Sequence, residues 1–470
     1  MSLSRALNVA SSGLATAQFQ TQVVSENIAN AMSEDYVRRE AVLITTHGGA
    51  SSVAAVQREV DSALIRMSRA ESAKMAHQQA IYEALDDYTV YLGQPGDGLS
   101  VSDKFSDFNT ALTTLVNMPS STEAQSAAVY AAEDLATSIR DLSGTLSEVR
   151  SDVEMEIRYE VSDLNQALYD LADLNSQMGS MPAGTLAAAE VADQMDALLD
   201  QVSGIVGVRI SYNSDSTVSV YTTGGAALLE GTQVQDVSYN AGEGTFFAGE
   251  VEITPNKDGV RGIEEGSLVG FAELTNEILP QFQLQLDEYA RALIQAFESS
   301  DTSLAAGEAG LFTDNGAAYD PDALDGLASR LTVNSKVSHD GDAEIWRIRD
   351  GMGVTSEGAA ADATQIQRFI DVFDTKVDAD PATGLSASIS LADFASELVS
   401  AQASESTRAE NSYSAASSAA ELVAASRESV EGVNIDDELQ KLLLIEQSYA
   451  ANSKMLTAVA EMLDTLLAAV

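Results

Sequence analysis

The sequence predicts a mainly α protein with a small antiparallel β portion, organised as a long helical bundle built from both chain ends with nested, discontinuous domains. Three observations predict it. Apolar residues recur at alternating spacings of four and three at both ends of the chain. The period falls to two only in the middle. Hydrophobic content is 45% while aromatic content is 6%, with Ala, Leu, Ser and Asp plentiful, a mix that favours long helices over an aromatic-rich sandwich.

The first series runs Leu3, Leu7, Ala10, Leu14, Ala17, Thr21, Val24, Ile28 and Ala31, and only Thr21 interrupts it. The last runs Ile435, Leu439, Leu442, Glu446, Tyr449, Ser453, Leu456, Ala460, Leu463, Leu467 and Val470, with Glu446 and Ser453 as exceptions. A repeat near 3.5 residues draws one stripe along a helix and asks for a helical partner. A helix over 435–470 would be roughly 54 Å long and would expose that stripe if alone. The economical solution is that the two terminal helices pack together and then against copies of the chain. Leu3, Leu7, Leu14, Val24, Ile28, Ile435, Leu439, Leu442, Tyr449, Leu456, Leu463 and Leu467 are the candidate assembly residues. Asn434 can cap the last helix, Asp437 sits at the capping-box position, and Asp436, Asp437 and Glu438 suit the positive end of its dipole. Gly432 before them reads as a break.

Between the ends, helices are predicted at 57–92, 100–117, 121–180 and 185–202. The first stops at the turn cluster Gln94-Pro95-Gly96-Asp97-Gly98, and the third is long enough to be interrupted. Its later stripe, Ile157, Val161, Leu164, Leu168, Leu171, Asn175 and Met178, reads as ordinary core. Alternation at Val206, Val208, Ile210 and Tyr212, a turn at 213–215, a strand at Val218/Val220 and another from Phe246 to Ile253 predict a β element over 203–261. A helix follows at 267–299. The Gly- and Asp-rich stretch 300–362 hints at short strands at Leu331/Val333 and Trp346/Ile348, and helices resume at 363–375 and 389–430. The expected division is 1–40 with 432–470 as terminal assembly helices; 41–202 with 262–300 and 389–431 as a helical bundle; 203–261 as its β element; and 301–388 as a loop-rich or β-containing outer insertion.

The formal net charge is -47, from 25 Lys+Arg against 72 Asp+Glu. Such a chain repels phosphate backbones and anionic membranes, so no nucleic acid and no membrane insertion is expected. Residues 1–33 hold only Arg5 and Glu26, so that end is neutral on an acidic body. Cysteine is absent, which removes disulfides, thiolate metal sites and Cys nucleophiles. No apolar run reaches the length of a membrane span, and the start lacks the charged and apolar regions of a cleavable secretory signal.

The three histidines, His47, His77 and His339, stand in no HExxH arrangement, and neither a phosphate-binding loop nor a GxSxG elbow occurs. Carboxylate pairs such as Asp86/Asp87 and Asp436/Asp437 read as solvated faces or caps. Asp301, Asp314 and Asp325 match no EF-hand spacing, and Trp346 reads as the anchor of a small sheet. No catalytic residue, cofactor or metal site is expected.

The end motifs resemble the flagellar axial family of rod, hook and hook-associated proteins. Ala6-Leu7-Asn8, Ser12-Gly13-Leu14 and Ala17-Gln18 look like its opening. Asn27-Ile28-Ala29-Asn30, followed by Tyr36 and Arg38, looks like its signature, with Asp35 where a Gly is usual and Arg39 where a Gln is. Gly432-Val433-Asn434-Ile435 resembles the approach to the family's final helix, and Glu461-Met462-Leu463-Asp464 its close. Phe108-Asn109, Pro119-Ser120-Ser121, Leu171–Asn175 and Leu199-Asp200-Gln201 resemble the hook-associated branch. The resemblance implies a structural subunit joining hook to filament in a tubular ring, with terminal helices inside. It also implies flagellar type III export without a cleaved signal, so that the protein is secreted to the extracellular flagellum. The implied partners are hook protein, the next hook-associated protein and an export chaperone on the C-terminal helix. The alternatives are another axial subunit, of hook or rod, and an acidic coiled-coil binding module unrelated to flagella.

Overall fold

The computed structural model describes residues 3–33, 35–46, 49–94 and 96–468. Its elements begin with α1 (Leu3–Ala29), the antiparallel hairpin β1 (Arg39–Thr45) and β2 (Ser51–Arg58), then α2 (Ser62–Leu92), α3 (Val101–Asn117), α4 (Thr122–Ser180) and α5 (Leu186–Ile205). Strands β3 (Val208–Tyr212), β4 (Val218–Thr222), β5 (Ala227–Glu230) and β6 (Gln233–Val234) form one antiparallel sheet, and β7 (Val237–Asn240), β8 (Thr245–Ala248) and β9 (Val251–Glu252) a second. Then come α6 (Ser267–Glu273), a π-helical turn at Leu274–Ile278, α7 (Leu279–Ser300), β10 (Phe312–Asp314), α8 (Leu327–Arg330), β11 (Leu331–Val333), α9 (Arg347–Asp350) and α10 (Thr364–Asp371). The hairpin β12 (Lys376–Asp378) and β13 (Ser388–Ser390) leads into α11 (Leu391–Glu431) and α12 (Ile435–Ala468).

The chain has the mainly α fold with small antiparallel sheets that its periodicities predict. Local chemistry sets the helix starts. Ser100 and Thr185 accept hydrogen bonds from Asp103 N and Ala188 N at 3.2 Å, and the Asn434 side chain accepts from Asp436 N at 3.0 Å, each relieving an orphan N–H.

Two compact units emerge. The first comprises Met1–His77, Arg158–Val269 and Ser414–Val470, the second Gln78–Ile157 and Gly270–Tyr413. Helices α2, α4 and α11 each give residues to both. In the first unit α4 grips the sheets through asparagines. Asn175 Nδ2 donates to Val218 O and its Oδ1 accepts from Val218 N, both at 2.8 Å, and Asn165 pairs with Val237 O and N at 2.8 and 2.7 Å. A side-chain amide carries the donor and acceptor of a peptide unit, so it satisfies a strand edge as a neighbouring strand would.

The second unit is an aromatic core. Phe108 lies 5.6 Å from Phe297 and 5.7 Å from Phe312, Phe105 lies 4.5 Å from Phe373, and Phe297 lies 5.6 Å from Phe369. Tilted and edge-on ring pairs of this kind add to what burial alone contributes. Residues 301–388 therefore supply Phe312, Phe369 and Phe373 to the same core as α3 and α7.

Several expectations change. The helix expected from 57 starts at Ser62, because Ser51–Arg58 is a strand whose Ser- and Ala-rich sequence carries weak β signal. Helix α4 runs unbroken for 59 residues. The strand expected at Trp346/Ile348 is the helical turn α9; Trp346 is half-buried, its ring 4.8 Å from the Arg347 guanidinium, and anchors no sheet. The strand at Leu331/Val333 is present as β11, paired with β10. His47, Pro95 and Val470, which entered the sequence reading, lie outside the described residues.

Candidate assembly surface

Helices α1 and α12 pack antiparallel. Ala17, Val24 and Ile445 form a buried cluster against which Ile28 and Leu442 are partly buried. Gly13 faces Asn452 so closely that a Cβ on Gly13 would stand 2.7 Å from the Asn452 amide. The glycine of the opening motif thus leaves room for the Asn452 side chain, and the asparagine sits in the seam, where one polar residue fixes register.

The other end of the seam centres on Asn27, which is fully buried and uses its whole bonding capacity. Its Nδ2 donates to Arg39 O and to Glu438 Oε2, each at 2.9 Å. Its Oδ1 accepts from Tyr36 Oη at 2.8 Å and from Arg39 N at 3.1 Å. Glu438, 1% exposed, also pairs with Lys441 at 2.6 Å. Burial pushes the Tyr36 phenol up to about 12; the Arg39 guanidinium opposes the shift, and the carboxylates of Glu26, Asp193 and Glu438 add to it.

From Arg39 an alternating ladder of charges crosses the unit. Arg39 meets Glu26 at 3.7 Å and Asp193 at 2.6 Å; Arg58 meets Asp193 and Asp196, both at 2.6 Å. Arg69 meets Asp196 at 2.9 Å and Asp200 at 2.5 Å; Arg427 meets Asp200 and Glu431, both at 2.7 Å. The three aspartates fall on one face of α5. Burial raises the Asp193 carboxyl, and Arg58 and Arg39 only partly offset it. Burial acts the same way on Asp196, but there Arg58 and Arg69 outweigh it and hold the carboxyl below its ordinary value.

The predicted residues divide by face. Val24 is buried, and Leu3, Leu7, Leu14, Ile28, Leu442, Leu456 and Leu463 are half-buried. Ile435, Leu439, Tyr449 and Leu467 are exposed. The covered stripe of α12 runs through Glu438, Leu442, Ile445, Asn452, Leu456, Val459 and Leu463. It shares Leu442, Leu456 and Leu463 with the sequence series, takes the preceding residue at 439, 446, 453 and 460, and skips Tyr449. Those displaced positions include Glu446 and Ser453, the exceptions, which face solvent. Ala29 and Asn30 are exposed, Arg38 N donates to Glu431 O at 2.9 Å, and Gly432 N donates to Glu428 O at 2.8 Å. At 100° per residue, Leu444, Met455, Met462 and Leu466 share a flank of α12, separated by Ser448, Ala451 and Ala458 with no charge. Those four side chains are 66, 49, 49 and 53% exposed. Sequence reasoning missed the ladder, although Asp193, Asp196 and Asp200 on an otherwise apolar helix face carried a signal.

In the second unit His339 is neither isolated nor on the surface. Its Nε2 lies 2.8 Å from Ser126 Oγ, its Nδ1 3.1 Å from Glu133 Oε2, and its ring stacks on Tyr130 at 3.7 Å. The order Ser–His–Glu is that of a hydrolase triad. Ser126, however, lies in the second turn of α4, where its own N–H and the next are spent on helical hydrogen bonds, so they cannot serve a developing oxyanion. Glu133 also accepts from Ser338 Oγ at 2.7 Å and His339 N at 2.9 Å. The cluster is a latch that docks the 334–343 loop on α4.

The model of the flagellar hook-associated protein FlgK helical domain matches residues 90–305, and that of the flagellar basal body rod FlgEFG protein C-terminal region matches residues 428–469. Flagellar hook-associated protein 1 of Salmonella typhimurium is 26% identical over 321 residues, 64% of this chain and 57% of that protein. The chain thus spans little more than half the length of that relative. The protein of that name from Bacillus subtilis is 22% identical over 509 aligned positions, 98% of this chain and 97% of its own. The solved flagellar hook junction protein FlgK from Burkholderia pseudomallei is 20% identical with a TM-score of 0.43, over 53% of this chain and 47% of that one. The matched C-terminal helix and helical domain define a flagellar axial protein. Within that class the chain is similar to flagellar hook-associated protein 1, through the helical-domain match and the relatives of that name. Among the described residues, no helix is long and apolar enough to cross a membrane.

Proposed function

We propose that the chain is a non-enzymatic structural subunit that joins hook to filament and builds a tubular ring through its terminal helices. The observation that carries the reading is the α1/α12 pair, whose uncharged Leu444, Met455, Met462 and Leu466 flank stays open to solvent. An uncovered apolar ridge of this kind on a soluble chain marks an interaction surface. The ring, the contacts with hook protein and with the next hook-associated protein, export by the flagellar type III route to the extracellular structure, and a cytoplasmic chaperone that shields α12 all belong to this proposal.

Imaging of a tagged chain should place it at hook–filament junctions; a signal confined to rod or hook shaft would assign another axial role. Deleting 435–470 should abolish incorporation while the aromatic core of the second unit stays folded. Leu463→Asp, which puts a charge in the α1/α12 seam, should act the same way. Normal incorporation of the deletion would defeat the proposal.

A further inference from the structure

The β1/β2 hairpin has one covered edge and one open edge. On β2, Val56 N donates to Gly184 O at 2.7 Å, and Ser51 O accepts from Thr16 Oγ1 at 3.2 Å and from Ser12 Oγ. These groups point away from β1. In an antiparallel pair, residues opposite one another direct their backbone groups the same way relative to the ladder, both inward or both outward. Val56 lies opposite Ala41 and Ser51 opposite Thr45. Ala41 and Thr45 therefore direct their N–H and C=O groups away from β2, and so does Leu43 between them. Arg39 does the same, and there the Asn27 amide pairs with its N–H and C=O. Beyond Arg39 no partner takes the edge among the described residues.

The open stretch is also apolar and uncharged. From Ala41 to Thr46 it reads Ala-Val-Leu-Ile-Thr-Thr, and Val42, Leu43 and Ile44 are 37, 43 and 50% exposed. Soluble proteins blunt such edges with charges or proline; a bulge between Val42 and Leu43 is the device present here. Elsewhere in the unit asparagines cap the strand edges at Val218 and Val237.

We infer that the β1 edge, Ala41–Thr45, pairs antiparallel through its backbone with the same edge of a second copy of this chain. The occupant follows from charge and position. Two chains of net charge -47 repel wherever their surfaces are acidic, and this edge is a charge-free segment built on α1, whose own residues 1–33 are neutral. It adjoins the α1/α12 pair and rests on the assembly reading given above. Backbone pairing supplies affinity, and the alternating Val42 and Ile44 side chains supply register.

The absence of cysteine makes single-cysteine crosslinking clean in the full-length chain. Ile44→Cys and, as a separate reporter on α12, Met462→Cys would be concentrated under salting-out conditions, oxidised and examined for covalent dimers, with self-association followed by sedimentation velocity. Leu43→Pro removes an outward N–H while sparing the β1/β2 ladder, and circular dichroism checks that it folds. The inference expects Ile44→Cys dimers and self-association weakened about tenfold by Leu43→Pro, the order of one lost hydrogen bond with its contacts. If Met462→Cys crosslinks and Ile44→Cys does not, the strand pairing is wrong while assembly through the helices stands. A folded Leu43→Pro chain that associates as wild type also overturns the pairing. A chain that stays monomeric and crosslinks at neither position sinks both.

Discussion

Asp196→Ala tests the charge ladder most directly. Asp196 is 7% exposed and receives Arg58 Nη2 at 2.6 Å and Arg69 Nη2 at 2.9 Å. Removing one partner of a buried pair costs about 3–5 kcal/mol, because the other charge stays buried. Here each arginine keeps a second carboxylate, Asp193 for Arg58 and Asp200 for Arg69. The loss should therefore lie near the lower end, about 3 kcal/mol, or about a hundredfold in the opening equilibrium of the surrounding segment. Because two units need not unfold together, the readout should be local: hydrogen exchange of the α5 amides in wild type and variant. The pH dependence adds a second check. The Asp196 carboxyl titrates below its ordinary value in the fold, so its contribution is full above the unfolded value of about 3.9 and is lost as pH falls through the folded value. The gap between wild type and variant should shrink below about pH 4. A gap under about 1 kcal/mol at neutral pH, the range of an exposed pair, or one that persists unchanged in acid, would refute the reasoning. Asp193→Asn should cost less than Asp196→Ala, because burial already raises the Asp193 carboxyl and disfavours its ionised form.

Other outcomes follow from single contacts. Gly13→Val should loosen the α1/α12 pair by about 1–3 kcal/mol through overpacking against Asn452, and Asn452→Ala should restore much of it; exchange rates along α12 would show both. His339→Ala should free the 334–343 loop, raising its proteolytic nicking, while circular dichroism of the helices is unchanged. Spectroscopic titration of Tyr36 against a Tyr36→Phe control should give a phenol near about 12. Since that value is raised, the tyrosine's contribution is full below the unfolded value of about 10 and is lost as pH rises through the folded value.

The legible parts of the fold were those with a repeating period. The terminal stripes located α1 and α12, and the switch to a period of two located the strands around Val208–Tyr212 and Val218–Thr222. The hairpin at 39–58 went unread because β2 is rich in Ser and Ala, although Gly48-Gly49 between the strands is a turn signal. The covered face of α12 was half legible. Heptad counting found Leu442, Leu456 and Leu463, but it could not choose between Ile445 and Glu446 or between Val459 and Ala460. On a single helix, adjacent residues are 100° apart and either can border the seam. The seam takes Ile445 and Val459 and leaves Glu446 and Ser453 exposed, while the polar Glu438 and Asn452 enter it because Asn27 and Gly13 of α1 meet them there. The ladder depends on four arginines from four separate elements converging on one face of α5, and nothing local in the sequence encodes that meeting.

The charge distribution explains how an acidic chain can both fold and associate. Self-repulsion at a net charge of -47 works against any compact state and against contact between copies. Within the first unit, Arg39, Arg58, Arg69 and Arg427 are drawn into the interior, each between two carboxylates. Buried pairs of this kind are weak stabilisers compared with apolar packing of equal volume, but a misplaced rung leaves a buried charge alone. They therefore penalise wrong arrangements of α5, the hairpin and α11 more than they favour the right one. The outer face of α1, the Ala41–Thr45 stretch of β1 and the Leu444, Met455, Met462 and Leu466 flank of α12 carry few charges, so two copies could approach there without the repulsion that guards the rest of the surface. Fixing the first unit by paired interior charges leaves its uncharged faces free to face outward in one defined orientation, which is the geometric condition for repeated, identical contacts between copies.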